Sequence, residues 1–179
     1  MQAEDRYGTL EEREDGWLVT FVRELNHPQE KVWRAITEPE HLEKWFPSTI
    51  DGERRAGARL TFRFPDDVGG MVIEGEMVAF ELQHLMELLW GGDRLRIELT
   101  PRGSGTRLVL KALMQELGKT ARDGAGWHTC LEWLEYALDD RPRDDEVNEI
   151  WRRLERVYAE RFGPEAATIG PPEGAQTTG

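Results

Sequence analysis

The chain of 179 residues lacks several features that would assign it early to a functional class. Its single cysteine, Cys130, excludes an internal disulfide bond, and no cysteine or histidine cluster has the spacing of a zinc site. Only two serines occur, and Ser104 lies in a turn that lacks the spacing of a nucleophile elbow. We therefore expect a reduced, cytoplasmic protein without a metal or a cofactor.

Positive charge and long apolar runs are also scarce. Lys and Arg number 23 against 35 Asp and Glu, so the formal net charge is −12. A surface of that charge repels nucleic-acid phosphates and anionic lipids. No stretch approaches the roughly 20 apolar residues of a membrane span, and residues 1–15 are polar and acidic. We expect no nucleic-acid partner, no membrane insertion and no export.

Alternating apolar and polar residues predict that much of the chain forms an antiparallel sheet. Residues 8–14 and 17–25 alternate around a turn at Gly16, which predicts a first hairpin. Between Thr49 and Met114 the same period of two recurs, interrupted by short Gly-rich segments. This second region predicts a meander of about five strands.

Helical periodicity appears in three other places. Residues 28–47 predict two short helices that end at Pro47, and Gly124 to Leu138 predicts a long helix with one apolar stripe. Asp144 to Phe162 is a further amphipathic segment, followed by a stretch with four Gly and three Pro. We therefore predict one domain over residues 1–141, an appended helix over 142–163 and a flexible tail over 164–179.

Two apparent catalytic motifs have simpler interpretations. Residues 117–120, Leu-Gly-Lys-Thr, look like the end of a nucleotide phosphate loop, but the required earlier glycine is replaced by Leu113. A connecting loop is therefore favoured. His128 follows Trp127 on the predicted long helix, where it could act as a general base, although a structural histidine is more common. We assign no catalytic residue.

The succession of a hairpin, two short helices, a meander and a long helix is that of the helix-grip fold, an α+β class. The residues resemble the activator of heat shock protein 90 ATPase homologue family, within the START-like SRPBCC superfamily that includes birch-pollen-allergen-like proteins. The resemblance rests on six segments: Lys31–Glu40, Trp45–Pro47, Gly75–Ala79, Leu88–Trp90, Gly105–Leu110 and Gly126–Trp127. It implies a curved sheet of about six to seven strands wrapped around the long helix, with a pocket for hydrophobic molecules between them.

The seven Trp and the inward-facing Met residues suit such a pocket, although core filling and pocket lining look alike in a sequence. The predicted lining residues are Trp45, Phe62, Phe64, Met77, Trp90, Ile97, Leu110, Trp127, Leu131 and Leu134. The leading hypothesis is intracellular binding of a small hydrophobic or aromatic ligand, such as a lipid, in connection with a stress response. The alternatives are a polyketide cyclase-like or hydrolytic enzyme that uses the same pocket, and a protein-interaction module.

Partners other than a ligand receive less support. The eukaryotic co-chaperone of the family uses a separate N-terminal domain, and a domain that begins near Gly8 leaves no room for one, so we do not expect a chaperone partner. A monomer and a homodimer are both compatible with the sequence.

Overall fold

The structure is a computed structural model that describes residues 6–143 and 147–171. Within these residues, eight strands form one antiparallel sheet. The strands are β1 (Thr9–Arg13), β2 (Gly16–Leu25), β3 (Thr49–Asp51), β4 (Arg59–Arg63), β5 (Val72–Glu81), β6 (Leu85–Trp90), β7 (Asp93–Arg102) and β8 (Gly105–Met114). Their order across the sheet is β1-β2-β8-β7-β6-β5-β4-β3.

Four α-helices complete the described fold. They are α1 (Gln29–Thr37), α2 (Pro39–Leu42), α3 (Thr120–Leu138) and α4 (Val147–Phe162). The long helix α3 packs against the inner face of the curved sheet, so the predicted helix-grip fold is confirmed. Short 3-10 turns at Leu117–Lys119 and Pro164–Ala167 precede α3 and follow α4.

The number of strands and the start of α3 differ from the sequence prediction. The sheet has eight strands rather than six to seven, because β6 is an almost continuous apolar run and β3 has only three residues. The strand β6 lacks the alternation that marks a strand with one face in water, and the three residues of β3 are too few to establish it. The helix α3 begins at Thr120 rather than Gly124, since the Thr120 hydroxyl donates to the carbonyl of Leu117 and the two helical glycines lie inside the helix.

The inner face of the sheet forms the hydrophobic core. In β8 every second residue is buried, from Thr106 to Met114, and the residues between them are half-buried. The neighbouring strand β2 follows the same pattern, except that one of its inward positions holds Arg23. This guanidinium is 1% exposed and lies 3.0 Å from a carboxylate oxygen of Glu135 on α3. The pairing offsets part of the cost of burying a charge.

The two ends of α3 are held differently. At its C-terminal end, Lys31 Nζ donates to the carbonyl oxygen of Leu138 at 2.6 Å, and His27 contacts Asp139 at 2.7 Å. A cation at this end also complements the helix dipole. The N-terminal end lies beside the β6–β7 hairpin, where Lys119 pairs with Asp93. The β6–β7 hairpin and the start of α3, which are distant in the sequence, therefore meet at the same end of the sheet.

The helix α4 packs against α3 and against the segment just before β1. Tyr158 is fully buried, and its hydroxyl accepts a hydrogen bond from the Gly8 amide at 2.8 Å. Beyond α4, the Ile169 amide donates to the carbonyl of Gly118 at 2.9 Å. The first eight residues of the predicted tail, 164–171, thus contact the region before α3, while 172–179 lie outside the described residues. The division into a domain over residues 1–141 and an appended helix stays a prediction.

Candidate ligand-binding cavity

A two-residue hairpin loop positions the central ring of the candidate site. Trp90 ends β6 and pairs with Asp93 across Gly91 and Gly92, and Gly91 has a φ of +59°. Such a left-handed backbone suits glycine because it has no Cβ. On the neighbouring strand Gly75 lies opposite Trp90, and a Cβ there would come within 2.0 Å of the Leu89 carbonyl oxygen. Gly75 therefore allows this close approach of the strands beside Trp90.

A cavity of about 490 Å³ lies between this hairpin and the first half of α3. Its volume is within the range of sites for small organic molecules. Four aromatic side chains belong to its lining and are called the aromatic wall below: Phe64, Trp90, Trp127 and Trp151. Further apolar lining comes from Pro47, Met71, Ile73, Ala112 and Met114.

Trp90 is the centre of a ring cluster. Its ring centroid lies 4.7 Å from that of Phe62, 5.4 Å from that of Phe64 and 5.8 Å from that of Trp127. Phe46 contacts both Trp90 and Trp127 from the other side. Tilted and edge-to-face pairs at these separations are favourable beyond the area they bury. Packing from behind therefore holds Trp90 in a fixed orientation at the cavity.

Four charged side chains of the lining, Asp93, Lys119, Arg122 and Asp123, are called the polar edge below, and the lining also includes Arg94, which pairs with Glu87. Lys119 Nζ lies 2.5 Å from Asp93 Oδ2, and Arg122 Nε lies 2.6 Å from Asp123 Oδ1. The second Asp93 oxygen accepts from the Gln115 amide at 3.2 Å, and Arg122 also donates to the Gly170 carbonyl. The polar edge therefore consists of two ion pairs.

The helix α3 leaves open space at the cavity because of one glycine. A Cβ at Gly126 would meet no atom within 4 Å. One turn further along, Cys130 also lines the cavity, and burial raises the pKa of its thiol to about 12. The thiol is thus protonated at neutral pH and behaves as an apolar lining group.

Three of the ten predicted lining residues lie at this cavity, namely Phe64, Trp90 and Trp127. The other seven lie in the hydrophobic core outside the cavity lining: Trp45, Phe62, Met77, Ile97, Leu110, Leu131 and Leu134. Trp45 shows why, since its indole donates to the carbonyl of Ala35 at 2.9 Å and its side chain fills space beneath α1.

The charged lining residues and Trp151 were not among the predicted positions. Lys119 and Arg122 fall on one helical face once α3 begins at Thr120, so a correct helix start would have indicated them. Asp93 directly follows the two glycines of the β6–β7 hairpin, and nothing local relates it to Lys119. Trp151 lies on α4, and no pattern in the sequence indicates where α4 packs on α3.

His128 lies away from the cavity lining, in a buried hydrogen-bonded group with Tyr158 and Glu132. The Tyr158 hydroxyl accepts from the Gly8 amide and lies 2.8 Å from His128 Nδ1. The Glu132 carboxylate, which can only accept, lies 3.4 Å from His128 Nε2, so a neutral ring carries its proton on Nε2 and the Tyr158 hydroxyl donates to Nδ1. Burial, with smaller effects from Arg23 and Arg6, lowers the pKa of His128 despite the nearby Glu132. The group joins α4, α3 and the chain start.

One set of side chains elsewhere has the composition of a metal site. Glu38, Glu40 and His41 bring three potential ligand atoms within 4.8 Å of one another. Glu38 already pairs with Arg34 at 3.0 Å and with His41 at 3.4 Å, which reduces its availability as a ligand. Such surface groups commonly occur without an ion, so this set carries no assignment.

The model of the family described as "Activator of Hsp90 ATPase homolog 1-like protein" matches residues 26–139. The chain belongs to this family. The resemblance inferred from the sequence is thereby confirmed. Of the cavity lining, Trp90, Lys119 and Trp127 lie within the family match, whereas Trp151 lies beyond it.

Solved structures show the same fold. The crystal structure of CalU16 from Micromonospora echinospora is 20% identical, with a TM-score of 0.72 over 90% of this chain and 99% of that one. A conserved protein of unknown function from Enterococcus faecalis is 17% identical, with a TM-score of 0.69 over 86% and 91%. A Mesorhizobium loti protein is 28% identical, with a TM-score of 0.59 over 69% and 97%.

No curated protein matches the chain. Among the described residues, no helix combines the length and the apolar character needed to cross a membrane.

Proposed function

We propose that this protein binds a small hydrophobic or aromatic molecule in the cavity between the β6–β7 hairpin and α3. The observation that carries the proposal is the cavity of about 490 Å³ bordered by the aromatic wall. Large, rigid rings next to flexible Met side chains are a common lining for apolar ligands. Family membership supports the proposal, and a sequence with a single cysteine agrees with a cytoplasmic setting. A lipid-like ligand or a stress response would be consistent with it.

The most direct test fills the cavity from Gly126. Because a Cβ there has open space, Gly126→Leu places a side chain in the cavity without displacing a neighbour at its first atom. A control is Ala137→Leu, which adds the same side chain to a half-buried position of α3 outside the cavity lining. Circular dichroism and the melting temperature establish that both variants fold.

The measurement is the rise in melting temperature with a panel of fatty acids, sterols and flavonoids. A ligand that binds only the native state raises the melting temperature by mass action. We expect at least one class to stabilise the wild type and Ala137→Leu but not Gly126→Leu. If every class leaves the wild type unchanged, or if Gly126→Leu responds as strongly as the control, the proposal is wrong.

A second candidate is an enzyme of the cyclase or hydrolase type in the same cavity. The polar edge favours it, because ionisable side chains reach the lining beside the aromatic wall. Acid–base catalysis would require Lys119 or Asp123 to act on a bound substrate. Turnover of an ester or polyketide analogue that disappears in both Lys119→Met and Gly126→Leu would support this candidate, and turnover retained in Gly126→Leu would exclude the cavity as its site.

A further inference from the structure

The charges around the cavity point to the class of ligand, an inference that rests on the proposed function. Both cations of the polar edge already have a carboxylate partner, since Lys119 pairs with Asp93 and Arg122 with Asp123. Arg94, which also lines the cavity, is 49% exposed and lies 3.1 Å from Glu87 Oε1, a carboxylate that it shares with Arg96. We propose that the cavity selects uncharged ligands, aromatic molecules whose polar group is a hydroxyl, carbonyl or amine, and discriminates against carboxylates, sulfonates and phosphates.

The ion pairs at the polar edge are partly buried, which makes an additional anion unfavourable. Asp93 and Lys119 side chains are 15% and 16% exposed. An anionic ligand group would lose hydration there and meet either a carboxylate or a cation already neutralised by one. If the ligand anion paired with the cation instead, the original carboxylate would remain without a partner in a poorly solvated place, and leaving a buried charge unpaired is strongly unfavourable.

Two other sources of charge do not reverse this preference. The N-terminal end of α3 attracts anions through its unpaired amides and dipole, but Asp123 in the first turn already supplies a negative charge there. The net charge of −12 also lowers the concentration of anions near the protein. Both considerations favour a ligand without formal charge.

An uncharged polar group still finds hydrogen-bonding partners at the polar edge. Lys119 carries three N–H donors, and its bond to Asp93 uses one of them. A hydroxyl or carbonyl oxygen can accept from the ammonium while the ion pair stays intact. The aromatic wall then binds the rings, and the polar edge orients the oxygen-bearing end.

A matched pair of fluorescent dyes tests the selectivity directly. Phenylnaphthylamine is uncharged, and anilinonaphthalene sulfonate has the same rings with a sulfonate added. Titration of the wild type at neutral pH should give a dissociation constant at least about tenfold lower for the uncharged dye, equivalent to about 1.4 kcal/mol. Gly126→Leu should weaken the binding of both dyes, which locates them in the cavity.

The variant Asp123→Asn tests the cause. It removes the carboxylate that neutralises Arg122, so we expect the sulfonated dye to gain about fivefold or more while the uncharged dye changes less than about twofold. Asp140→Asn is the matched control, since its carboxylate is 86% exposed at the far end of α3 and its loss changes the net charge equally. That control should leave both dissociation constants unchanged.

Each outcome supports or overturns the inference. Equal or tighter binding of the sulfonated dye by the wild type overturns it and leaves the proposed function intact, provided that Gly126→Leu still blocks both dyes. No gain in Asp123→Asn, or the same gain in Asp140→Asn, shows that the ion pairs of the polar edge do not control selectivity. If neither dye binds the wild type, the inference is wrong for aromatic ligands, and the ligand panel with Gly126→Leu decides the proposed function separately.

Discussion

Removal of one hydroxyl group, in Tyr158→Phe, should destabilise the protein through two buried partners at once. The Tyr158 side chain is fully buried, and its oxygen lies 2.8 Å from both the Gly8 amide nitrogen and His128 Nδ1. The substitution retains the ring and its edge contacts with Tyr7, Phe21 and His128. The loss is therefore confined to the two hydrogen bonds.

The expected magnitude follows from the two groups left without a partner. A buried donor or acceptor without a hydrogen bond costs about 1–3 kcal/mol. Two such groups, partly compensated if a water molecule enters the space of the hydroxyl, give an expected loss of about 2–4 kcal/mol in unfolding free energy. For a protein of this size each kcal/mol lowers the melting temperature by about 2–4 °C.

Urea unfolding followed by tryptophan fluorescence measures this loss. Tyr136→Phe is the control, because Tyr136 is half-buried on α3 and its hydroxyl makes no hydrogen bond with the described residues. We expect the control to change the free energy of unfolding by less than about 0.5 kcal/mol. A Tyr158→Phe loss as small as that of the control would refute the hydrogen-bonding role of this hydroxyl.

Three further predictions follow from buried groups and from the helix glycine. Burial lowers the pKa of His128 in the native protein, so the unfolded chain binds the proton more readily. The free energy of unfolding should therefore rise with pH from that lowered pKa to about 6.5 and then level off. Urea unfolding across this range measures it, and His128→Gln should flatten the dependence of the unfolding free energy on pH. Gly126→Ala should stabilise the protein by about 1 kcal/mol, since alanine favours helix and meets open space, as a rise in the urea midpoint will show. The Cys130 thiol, with a pKa of about 12, is almost entirely protonated at neutral pH and should react with a disulfide reagent much more slowly than an exposed thiol, and a rate like that of an exposed thiol would contradict the raised pKa.

The sequence predicted the fold well because the fold depends on local patterns. Alternation identified most strands, and the apolar stripe identified α3, which together with the two short helices define the helix-grip order. The strand β6 was harder to recognise, since Glu87 is buried within its apolar run and the alternation disappears. Only pairing with Arg94 and Arg96 explains a carboxylate at that position.

The site was predicted less completely because it depends on packing between distant segments. Trp45 and Trp90 look alike in the sequence, yet one fills the core beneath α1 and the other borders a cavity. The difference arises from the place where α3 and the β6–β7 hairpin meet. Gly126 leaves open space there, and the ion pair that joins the two elements links Lys119 to Asp93, 26 residues apart in the chain. No periodicity within one segment contains that information.

The position of Trp151 on α4 has a consequence for synthesis of the chain. Residues 26–139, which the family model matches, leave the ribosome before α4 does. Until α4 emerges and Tyr158 reaches the Gly8 amide, the nascent chain presents Trp90 and Trp127 beside an incomplete wall. The helix α4 therefore completes the aromatic wall, and until it docks the rings of Trp90 and Trp127 are more open to the contacts that lead to aggregation.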